Sequence, residues 1–543
     1  MIAGDHPTRP SPGVVCFVVA AVAASVLVLA LGSGLTFFND EWDLILHRSD
    51  WSLDSLFRPT NEHLYAGHIL LYKLMLPVFG MDSTLPFRAL EAALIVLIAG
   101  LVFVQVRSRV GDWPAVIAAS LILFLGPAWE VMLWPGPGGF LISIAAGLGA
   151  LLALDREDDR GDRWACVLLV LAVSFSTLGL VFVAGAAVDV LLRADRRLAR
   201  SYVPLIPIAL FGIWYLAYGH EAERAASLHN LLTAPRFILE SAAAVVAALL
   251  GLGGGDVNWG PPLLLAALAA TVVIAARDPA VLSRRLWVLV AIAGSFWFLA
   301  GFNQVEGRGP GASRYLMYGA VPVVLIAAEL LRGRSFGRAW LVVASIVAAG
   351  AIAGNLPALR GGERVLRADT DRLSAELIAL ELARGRVDPG FNLGLQVPGA
   401  GHAGNITAGA YYAAVDRWGS PVGALSELAG AAETPRVQAD TVLFHAYGLH
   451  LEPAPPAHDA ACTTARPEAG QSLIAVPLPP GGAALDPGPA GVTIRLRRFA
   501  ELSYPVELGP VSAPSSLAIP TDGSTTPWVA ELEGLGRTRI CPL

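Results

Sequence analysis

The chain has 543 residues, of which 55% are hydrophobic and 15% are charged, and its formal net charge is −6. With a mean hydropathy of +0.58, this composition excludes an ordinary soluble protein and indicates a polytopic membrane protein. The negative net charge, together with the absence of a basic stripe with interleaved aromatic residues, argues against nucleic acid as a partner.

The first two thirds of the sequence contain repeated apolar runs. A hydrocarbon core about 30 Å thick needs about 20 apolar residues in a helix. Eleven runs are predicted to span the membrane: 13–35, 86–106, 113–130, 138–154, 164–176, 178–192, 201–218, 261–276, 286–302, 315–331 and 339–355. The first run is too long for a signal peptide and lacks a clear small-residue cleavage site, so we expect it to be retained.

Basic residues in the short connections predict the orientation. Arginines cluster in four connections, at 107–109, 193–200, 277–285 and 332–338. All four fall on one side of the membrane, and basic residues near span ends stay cytoplasmic. We therefore expect a plasma-membrane protein with a cytoplasmic N-terminus, an outward loop at 36–85 and an outward C-terminal domain.

One further run, 236–252, is also apolar enough to cross. Counting it as a span inverts every later loop and places Arg284 and Arg285 outside, so we interpret it as a re-entrant or interfacial helix. The alternative is to fuse 164–192 into one long span, which leaves the basic stretch 193–200 outside.

The sequence changes character after residue 355. Residues 1–355 are predicted to form the membrane domain and 356–543 an extracytoplasmic α+β domain, because an amphipathic helical pattern at 363–385 is followed by short β-like runs at 472–478 and 491–499. Cys462 and Cys541 are the two cysteines of this domain. Outside the cytoplasm they can form a disulfide, but the sequence gives no distance between them, so two free thiols remain the alternative.

The first outer loop holds the densest acidic cluster. The stretch FFNDEWDLILHRSD, residues 37–50, places Asp40 and Glu41 directly after the first span. Acids in an outward loop are often merely solvated. Here, however, interfacial aromatic residues follow, and a helical pattern over 62–79, with Tyr65 on its apolar stripe, predicts a helix on the membrane surface.

These stretches carry a resemblance. The "NDEWD" motif, the approach "FRPTNEH" and the helix ending in "PVFG" resemble the first outer loop of the integral-membrane GT-C glycosyltransferases, which include protein O-mannosyltransferases and lipid-A aminoarabinose transferases. "SFSTLGLVFVAGAAVDVLLRADRR" resembles the short paired spans of that fold, and "GRGPGASRYLMYGAVPVVL" its outward Arg-Tyr start of a late span. The likeness covers residues 13–355 as architecture.

The resemblance implies transfer of a sugar from a polyprenyl-phosphate carrier to a cell-envelope glycan, lipid or protein on the outer face, by an inverting single displacement. It implies Asp40 as the general base, with Glu41 orienting the acceptor or helping to hold a cation. No cofactor is predicted. Two adjacent acids supply oxygen ligands that suit a divalent cation, so a cation remains open and no metal is identified.

A single displacement from phosphate also needs positive groups near the leaving group. Arg314 is the preferred residue, because it adjoins a span start where the phosphate of a carrier embedded in the membrane lipids would lie. Arg58, Lys73 and Arg308 are further candidates. Arginine grips phosphate through a planar fork, whereas lysine acts as a point charge.

The acceptor side departs from the family. Asn61, Glu62 and His63 replace the usual proline-rich stretch before the surface helix, so Glu62, His63 and Tyr65 are candidates for the acceptor side, with its geometry left open. In the third outer loop, GPAWEVMLWPGPGG, Trp129 and Glu130 suit either a sugar site or an interfacial aromatic belt.

A transporter or flippase of a lipid-linked sugar or another solute is the alternative function. Transporters bury ionisable residues at mid-membrane, where such groups are costly and functional. The acids within or beside the apolar runs lie mostly near their ends: Glu91, Asp189, Glu240 and Glu329. The groups capable of chemistry gather in outward loops instead, which favours a surface enzyme.

Overall fold

The computed structural model of the protein describes residues 10–193, 197–222, 224–254, 257–400, 403–456, 461–466, 472–501, 506–534 and 536–543. Up to residue 382 the chain is helical: α1 (Pro12–Leu31), α2 (Glu41–Leu46), α3 (Leu53–Phe57), α4 (Ala66–Phe79), α5 (Leu85–Val110), α6 (Asp112–Leu123), α7 (Trp129–Leu133), α8 (Gly138–Leu154), α9 (Asp159–Phe175), α10 (Leu180–Leu192), α11 (Arg197–Arg200), α12 (Tyr202–Ala217), α13 (Leu228–Leu249), α14 (Gly260–Arg277), α15 (Arg284–Phe302), α16 (Ser313–Leu330) and α17 (Arg338–Leu382). Shorter helices follow: α18 (Leu393–Gln396), α19 (Ala408–Trp418), α20 (Leu425–Gly430) and α21 (Glu433–Ala446).

The chain forms two compact units. The helical unit comprises the chain up to Gly34, Asp50–Met75 and Leu85–Leu366. The tail unit comprises Leu35–Ser49, Leu76–Thr84 and Arg367–Leu543. Residues of the predicted outer loop 36–85 therefore belong to both units. The boundary between the helical unit and the C-terminal part of the tail unit lies within α17, between Leu366 and Arg367, whereas the sequence predicted it at residue 355.

Serine side chains begin several of the long helices. The backbone N–H of Leu286 donates to Ser283 Oγ at 3.1 Å at the start of α15, and Ser227 caps α13 in the same way at 3.1 Å. A serine before an apolar run satisfies one of the helix's unpaired N–H groups. The polar connection and the apolar helix are thus joined by a local hydrogen bond.

Seven of the described helices are long and apolar enough to cross a membrane: α1, α5, α13, α14, α15, α16 and α17. Shorter apolar helices of 10–17 residues include α4, α8 and α12. The predicted fold class, a mostly helical membrane protein with a C-terminal domain that contains β-sheet, is confirmed. The number of eleven spans stays a prediction.

The predicted run 113–130 is not one straight helix. It is divided into α6 and the segment Gly126–Leu133, which are bent by 42° relative to each other. Pro127 explains the break, because proline lacks a backbone N–H and disfavours helical geometry at the residue before it.

The run 236–252 lies largely in α13, which is 22 residues long. At its N-terminal end Asn230 Nδ2 donates to Phe302 O at 3.2 Å, at the C-terminal end of α15. At its C-terminal end Ala248 O accepts from Asn355 Nδ2 at 3.0 Å. Phe302 and Asn355 lie far along α15 and α17 from the arginine-rich starts of those helices. Because α13 is itself long and apolar enough to cross a membrane, its interpretation as interfacial or re-entrant stays a prediction.

Ion pairs join the arginine-rich connections at one end of the helical unit. Arg109 bonds to Glu329 at 2.8 Å and to Asp155 at 3.1 Å, and Arg284 bonds to Asp189 at 2.9 Å. These residues come from the ends of α5, α8, α10 and α16 and the start of α15. We call this set the basic end. The predicted basic connections thus lie at one end of the helical unit. That this end faces the cytoplasm stays a prediction.

The tail unit ends in two antiparallel sheets among the described residues, with orders β1-β7-β4-β9-β2 and β3-β8-β5-β6. The strands are β1 (Glu452–Pro453), β2 (Thr463–Ala465), β3 (Leu473–Pro477), β4 (Gly482–Asp486), β5 (Val492–Arg497), β6 (Glu507–Val511), β7 (Ser515–Ala518), β8 (Val529–Glu533) and β9 (Thr538–Pro542). The β-like runs at 472–478 and 491–499 are therefore β3 and β5. The amphipathic pattern at 363–385 is the last part of α17 rather than a separate helix.

A disulfide joins Cys462 to Cys541. Cys541 lies in β9, and Cys462 directly precedes the edge strand β2, which pairs with β9 through Thr463 and Ile540. The bond therefore fastens a three-residue edge strand whose first two residues are exposed.

Candidate functional site

The acidic motif folds as the start of α2, in the tail unit. Asn39 has a left-handed φ of 50°, and Asp40 occupies the position before the helix. Glu41 is 0% exposed, and its Oε2 accepts the backbone N–H of Phe38 at 3.0 Å. Asp40 is half-buried. The two adjacent acids thus have different surroundings, and Asp40 is the one with access to solvent.

Helices of the tail unit hold this motif in place. Thr36 N–H donates to Thr370 Oγ1 of α17 at 3.4 Å, and Trp42 packs edge-on against Tyr411 of α19 with ring centroids 5.9 Å apart. The Tyr411 hydroxyl is itself engaged, since it donates to Glu381 Oε1 at 2.8 Å. The acidic motif is therefore a fixed part of the tail unit.

The helical unit contains a cavity of about 730 Å³, which we call the Arg314 cavity. It lies between α7, the end of α13, the start of α16 and the middle of α17. Its lining includes aromatic, small and polar residues, among them Trp129, Glu130, Ala248, Asn258, Ser313, Arg314, Gly361 and Gly362. Of the predicted phosphate-binding residues, Arg314 is the one that lines it.

Arg314 is held by Glu130 through several hydrogen bonds. Arg314 Nε donates to Glu130 Oε2 at 3.1 Å and Arg314 Nη2 to Glu130 Oε1 at 3.3 Å. The backbone N–H of Arg314 also donates to Glu130 Oε2, at 3.0 Å, and Glu130 N–H donates to Ser313 Oγ at 3.0 Å. The guanidinium is thus fixed in a forked geometry on the cavity wall.

A second arginine–carboxylate pair lies in the same region of the helical unit. Arg308 Nη1 bonds to Glu62 Oε1 at 2.6 Å, and His63 Nε2 lies 3.7 Å from the same oxygen. Burial lowers the pKa of His63; Glu62 opposes this shift, whereas Arg308 and Arg314 add to it. His63 is therefore a neutral ring at physiological pH. The structure brings Glu62, His63, Arg308 and Arg314 into one charged cluster.

Two other predicted phosphate residues lie elsewhere. Lys73 is buried and donates to Ser55 Oγ at 2.9 Å and to the backbone oxygen of Asp50, with Trp51 5.3 Å from its nitrogen. Lys73 therefore ties α4 to the segment before α3. Arg58 ends α3, where its N–H donates to Asp54 O at 2.8 Å. Neither side chain lines the Arg314 cavity.

The helix predicted over 62–79 begins later than expected, at Ala66. Thr60 and His63 exchange backbone hydrogen bonds of 3.1 and 3.0 Å, and Asn61 has a left-handed φ of 52°, so the chain turns before the helix starts. The predicted apolar stripe is buried from Tyr65 onward, whereas Val78 on the other face is 71% exposed. The Tyr65 hydroxyl donates to Gly136 O at 2.9 Å.

The sequence analysis did not single out the glycines of α17. A Cβ on Gly362 would lie 2.1 Å from Trp129 Cγ, so this glycine lets the indole pack against the helix. A Cβ on Gly361 would meet no described atom within 4 Å and would point into open space. The sequence did offer a signal for this close packing. Two adjacent glycines inside a helical pattern are unfavourable unless close packing requires them.

No group of three or more His, Cys, Asp or Glu side chains is placed to hold a metal ion in the part of the chain that the structure describes. Asp40 and Glu41 offer oxygen ligands, but Glu41 is already engaged by the Phe38 backbone.

Comparison with family models and with curated protein sequences finds no match. The fold is similar to the crystal structure of the Archaeoglobus fulgidus oligosaccharyltransferase in the apo form, with 15% identity, 69% of this chain and 58% of that chain covered, and a TM-score of 0.45. It is also similar to the cryo-EM structure of arabinosyltransferase EmbB from Mycobacterium smegmatis, with 13% identity and a TM-score of 0.38. That match covers 100% of this chain and 66% of the EmbB chain.

The match spans less than two thirds of each of these two chains. The two neighbours are named for the transfer of an oligosaccharyl and an arabinosyl group. These are distant similarities, so the function proposed below rests on the side chains of this protein.

Proposed function

We propose that this protein transfers a sugar from a polyprenyl-phosphate-linked donor to a cell-envelope acceptor at the outer face of the plasma membrane. The observation that carries the proposal is the Arg314 cavity, whose wall presents a fixed guanidinium fork. Arg314 stands at the start of α16, and Glu329 of the basic end lies 15 residues further along, about 22 Å away in a helix. The cavity is thus at the end of α16 opposite the basic end.

We propose that the reaction is a single displacement. Asp40 takes the proton from an acceptor hydroxyl or amine, the acceptor's oxygen or nitrogen forms a bond to the anomeric carbon, and the bond from that carbon to the phosphate oxygen breaks. The electron pair leaves with the phosphate. Arg314, with Arg308 nearby in the charged cluster, stabilises the negative charge that develops there. Glycosyl transfer of this kind passes through a transition state with oxocarbenium-like character.

Glu41 has a supporting part in this proposal. Its buried carboxylate fixes the turn before α2 and thereby the position of the Asp40 side chain. We assign Glu62, His63 and Tyr65 to the acceptor. Glu62 and His63 belong to the charged cluster with Arg308 and Arg314, where the neutral His63 ring and the Glu62 carboxylate are available to hydrogen-bond an acceptor close to the phosphate. A divalent cation beside Asp40 is compatible with this scheme but not required by it.

The test is sugar transfer by purified protein in lipid, with polyprenyl-monophosphate sugars and nucleotide sugars as donors and a cell-envelope extract as acceptor. We expect transfer from the lipid-linked donors, with inversion at the anomeric carbon. Transfer from nucleotide sugars alone would contradict the donor class. Movement of lipid or solute across the same vesicles without any transfer would contradict the enzyme and favour the transporter.

A further inference from the structure

Glu130 occupies two side-chain donors of Arg314, Nε and Nη2, in the wall of the Arg314 cavity. Both guanidinium bonds to Glu130 run to the two oxygens of one carboxylate, at 3.1 and 3.3 Å, and the Arg314 backbone N–H adds a third bond at 3.0 Å. Both residues line the cavity, and their side chains are 30% and 18% exposed. The pair therefore lies at the cavity surface, accessible to whatever enters.

A carboxylate and a phosphate bind a guanidinium fork in the same way. Each presents two oxygens to two parallel N–H donors, and the Nε/Nη2 edge of Arg314 that Glu130 holds accommodates one such anion at a time. A phosphate that binds this edge of Arg314 therefore competes with Glu130. Because the cavity holds about 730 Å³, the Glu130 side chain has room to rotate away.

We propose that Glu130 is a built-in counter-anion: it neutralises Arg314 while the cavity is empty and gives way to the phosphate of the donor. This inference rests on the proposed function and adds a residue with a defined part in it. Because Glu130 competes for the guanidinium throughout the reaction, it lowers the affinity of Arg314 for phosphate. It thereby also speeds release of the spent carrier phosphate after transfer.

The test measures binding of farnesyl phosphate, and of farnesol as the matched neutral probe, to the full-length protein in detergent. The variants are Glu130→Gln, Arg314→Gln and the double variant. Glu240→Gln is the control: Glu240 pairs with Arg236 at 2.7 Å on α13, near the cavity-lining end of that helix, and both side chains are exposed. Thermal unfolding checks that each variant is folded.

We expect Glu130→Gln to bind farnesyl phosphate about tenfold more tightly than the wild type, equivalent to about 1.4 kcal/mol. Farnesol binding and the Glu240→Gln variant should be unchanged. Arg314→Gln should bind farnesyl phosphate at least about tenfold more weakly. The double variant should bind farnesyl phosphate as weakly as Arg314→Gln does. Once the guanidinium is gone, Glu130 and phosphate no longer compete for it, so removing Glu130 has no further effect.

Two outcomes separate this inference from the proposed function. If Arg314→Gln weakens binding but Glu130→Gln binds no more tightly than the wild type, Glu130 merely positions Arg314 and the counter-anion role is wrong. If Arg314→Gln binds farnesyl phosphate as the wild type does, the phosphate assignment itself is wrong. Should Glu130→Gln not fold, Glu130→Asp keeps the charge but shortens its reach; tighter binding supports the inference, and unchanged or weaker binding contradicts it.

Discussion

Asp40 and Glu41 are neighbours in sequence with opposite surroundings. Glu41 is 0% exposed and accepts a backbone hydrogen bond, whereas Asp40 is half-buried at the position before α2. A catalytic base needs access to its substrate, and a buried carboxylate needs satisfied oxygens. Burial therefore assigns Glu41 a structural role and leaves Asp40 as the candidate base.

This division predicts different effects on stability. Glu41→Ala leaves the Phe38 N–H without its acceptor in a buried site, so we expect the free energy of unfolding to fall by about 1–3 kcal/mol. Asp40→Ala should lower it by less than Glu41→Ala does, because the Asp40 side chain is only half-buried and keeps access to solvent. Thermal unfolding of the two variants in the same detergent measures the difference. Equal losses for both would contradict the division.

His63 predicts a dependence of stability on pH. Burial lowers its pKa from 6.5 in the folded protein, with Glu62 opposing the shift and Arg308 and Arg314 adding to it. The unfolded chain therefore binds more protons than the folded chain below about pH 6.5, so stability is fully present above that pH and declines as the pH falls through the folded pKa.

We expect the melting temperature of the wild type to fall more than that of His63→Gln between about pH 7.5 and about pH 5.5. The comparison of slopes matters here, because the substitution itself shifts the absolute stability at every pH. Parallel slopes for the two proteins would show that His63 does not carry the effect.

At the level of elements, α17 contributes its glycines to the Arg314 cavity. Gly362 packs under Trp129, and Gly361 faces open cavity space. A side chain at Gly361 therefore enters the cavity without meeting a described neighbour. Gly350 is a matched position on the same helix, since its Cβ would also meet nothing described within 4 Å but it does not line the cavity.

We expect Gly361→Leu to reduce sugar transfer at least about tenfold by occupying the cavity, with little loss of stability because alanine-like residues favour a helix over glycine by about 1 kcal/mol. Gly350→Leu should leave transfer unchanged. Transfer rates and melting temperatures of both variants give the answer. Equal activity of Gly361→Leu and the wild type would mean that the substrate does not use this cavity.

The edge strand β2 depends on its disulfide. The bond closes a sequence separation of 79 residues, for which the chain-entropy model gives a stabilisation of about 4 kcal/mol. We expect Cys462→Ser to expose residues near β2 to protease in the full-length protein while transfer chemistry at Asp40 continues. Reduction of the wild type should reproduce the cleavage pattern. The same cleavage rate with and without the bond would contradict the role given to it.

Element types were largely predictable from the sequence, because apolar runs of span length and alternating patterns are strong signals. The break within the apolar run 113–130 could also have been predicted, since Pro127 lies in this run. The continuity of α17 could not be predicted. An apolar helix and an amphipathic helix have the same period, and no strong helix-breaking residue separates them in this sequence. The burial of Glu41 could not be predicted either, since its neighbours Thr36 and Trp42 pack against Thr370 and Tyr411, more than 300 residues away in the chain.

The site itself was only partly predictable. Arg314 was selected for its place at a span start, and it does line a cavity. Lys73 was selected by charge alone, and its partners Asp50 and Ser55 show a tether instead. Contacts between distant segments, such as Arg314 with Glu130, leave no local pattern in the sequence. Charge and spacing could therefore suggest candidates but not pair them.

For the whole molecule, we propose a glycosyltransferase in which two residues have separate roles. In this proposal Arg314 of the helical unit stabilises the departing phosphate, and Asp40 of the tail unit takes the acceptor proton. A single residue in the tail unit should therefore control transfer without affecting the binding of farnesyl phosphate in the helical unit.

The most direct measurement is sugar transfer by purified Asp40→Asn in lipid, beside the wild type and Asp43→Asn. Asp43 is a matched control, because it lies on the same short helix and is paired with Arg48 at 3.1 Å. We predict that Asp40→Asn lowers the transfer rate at least about a hundredfold, as loss of a general base does, with unchanged folding, while Asp43→Asn stays near the wild type. Transfer by Asp40→Asn at the wild-type rate would contradict the account.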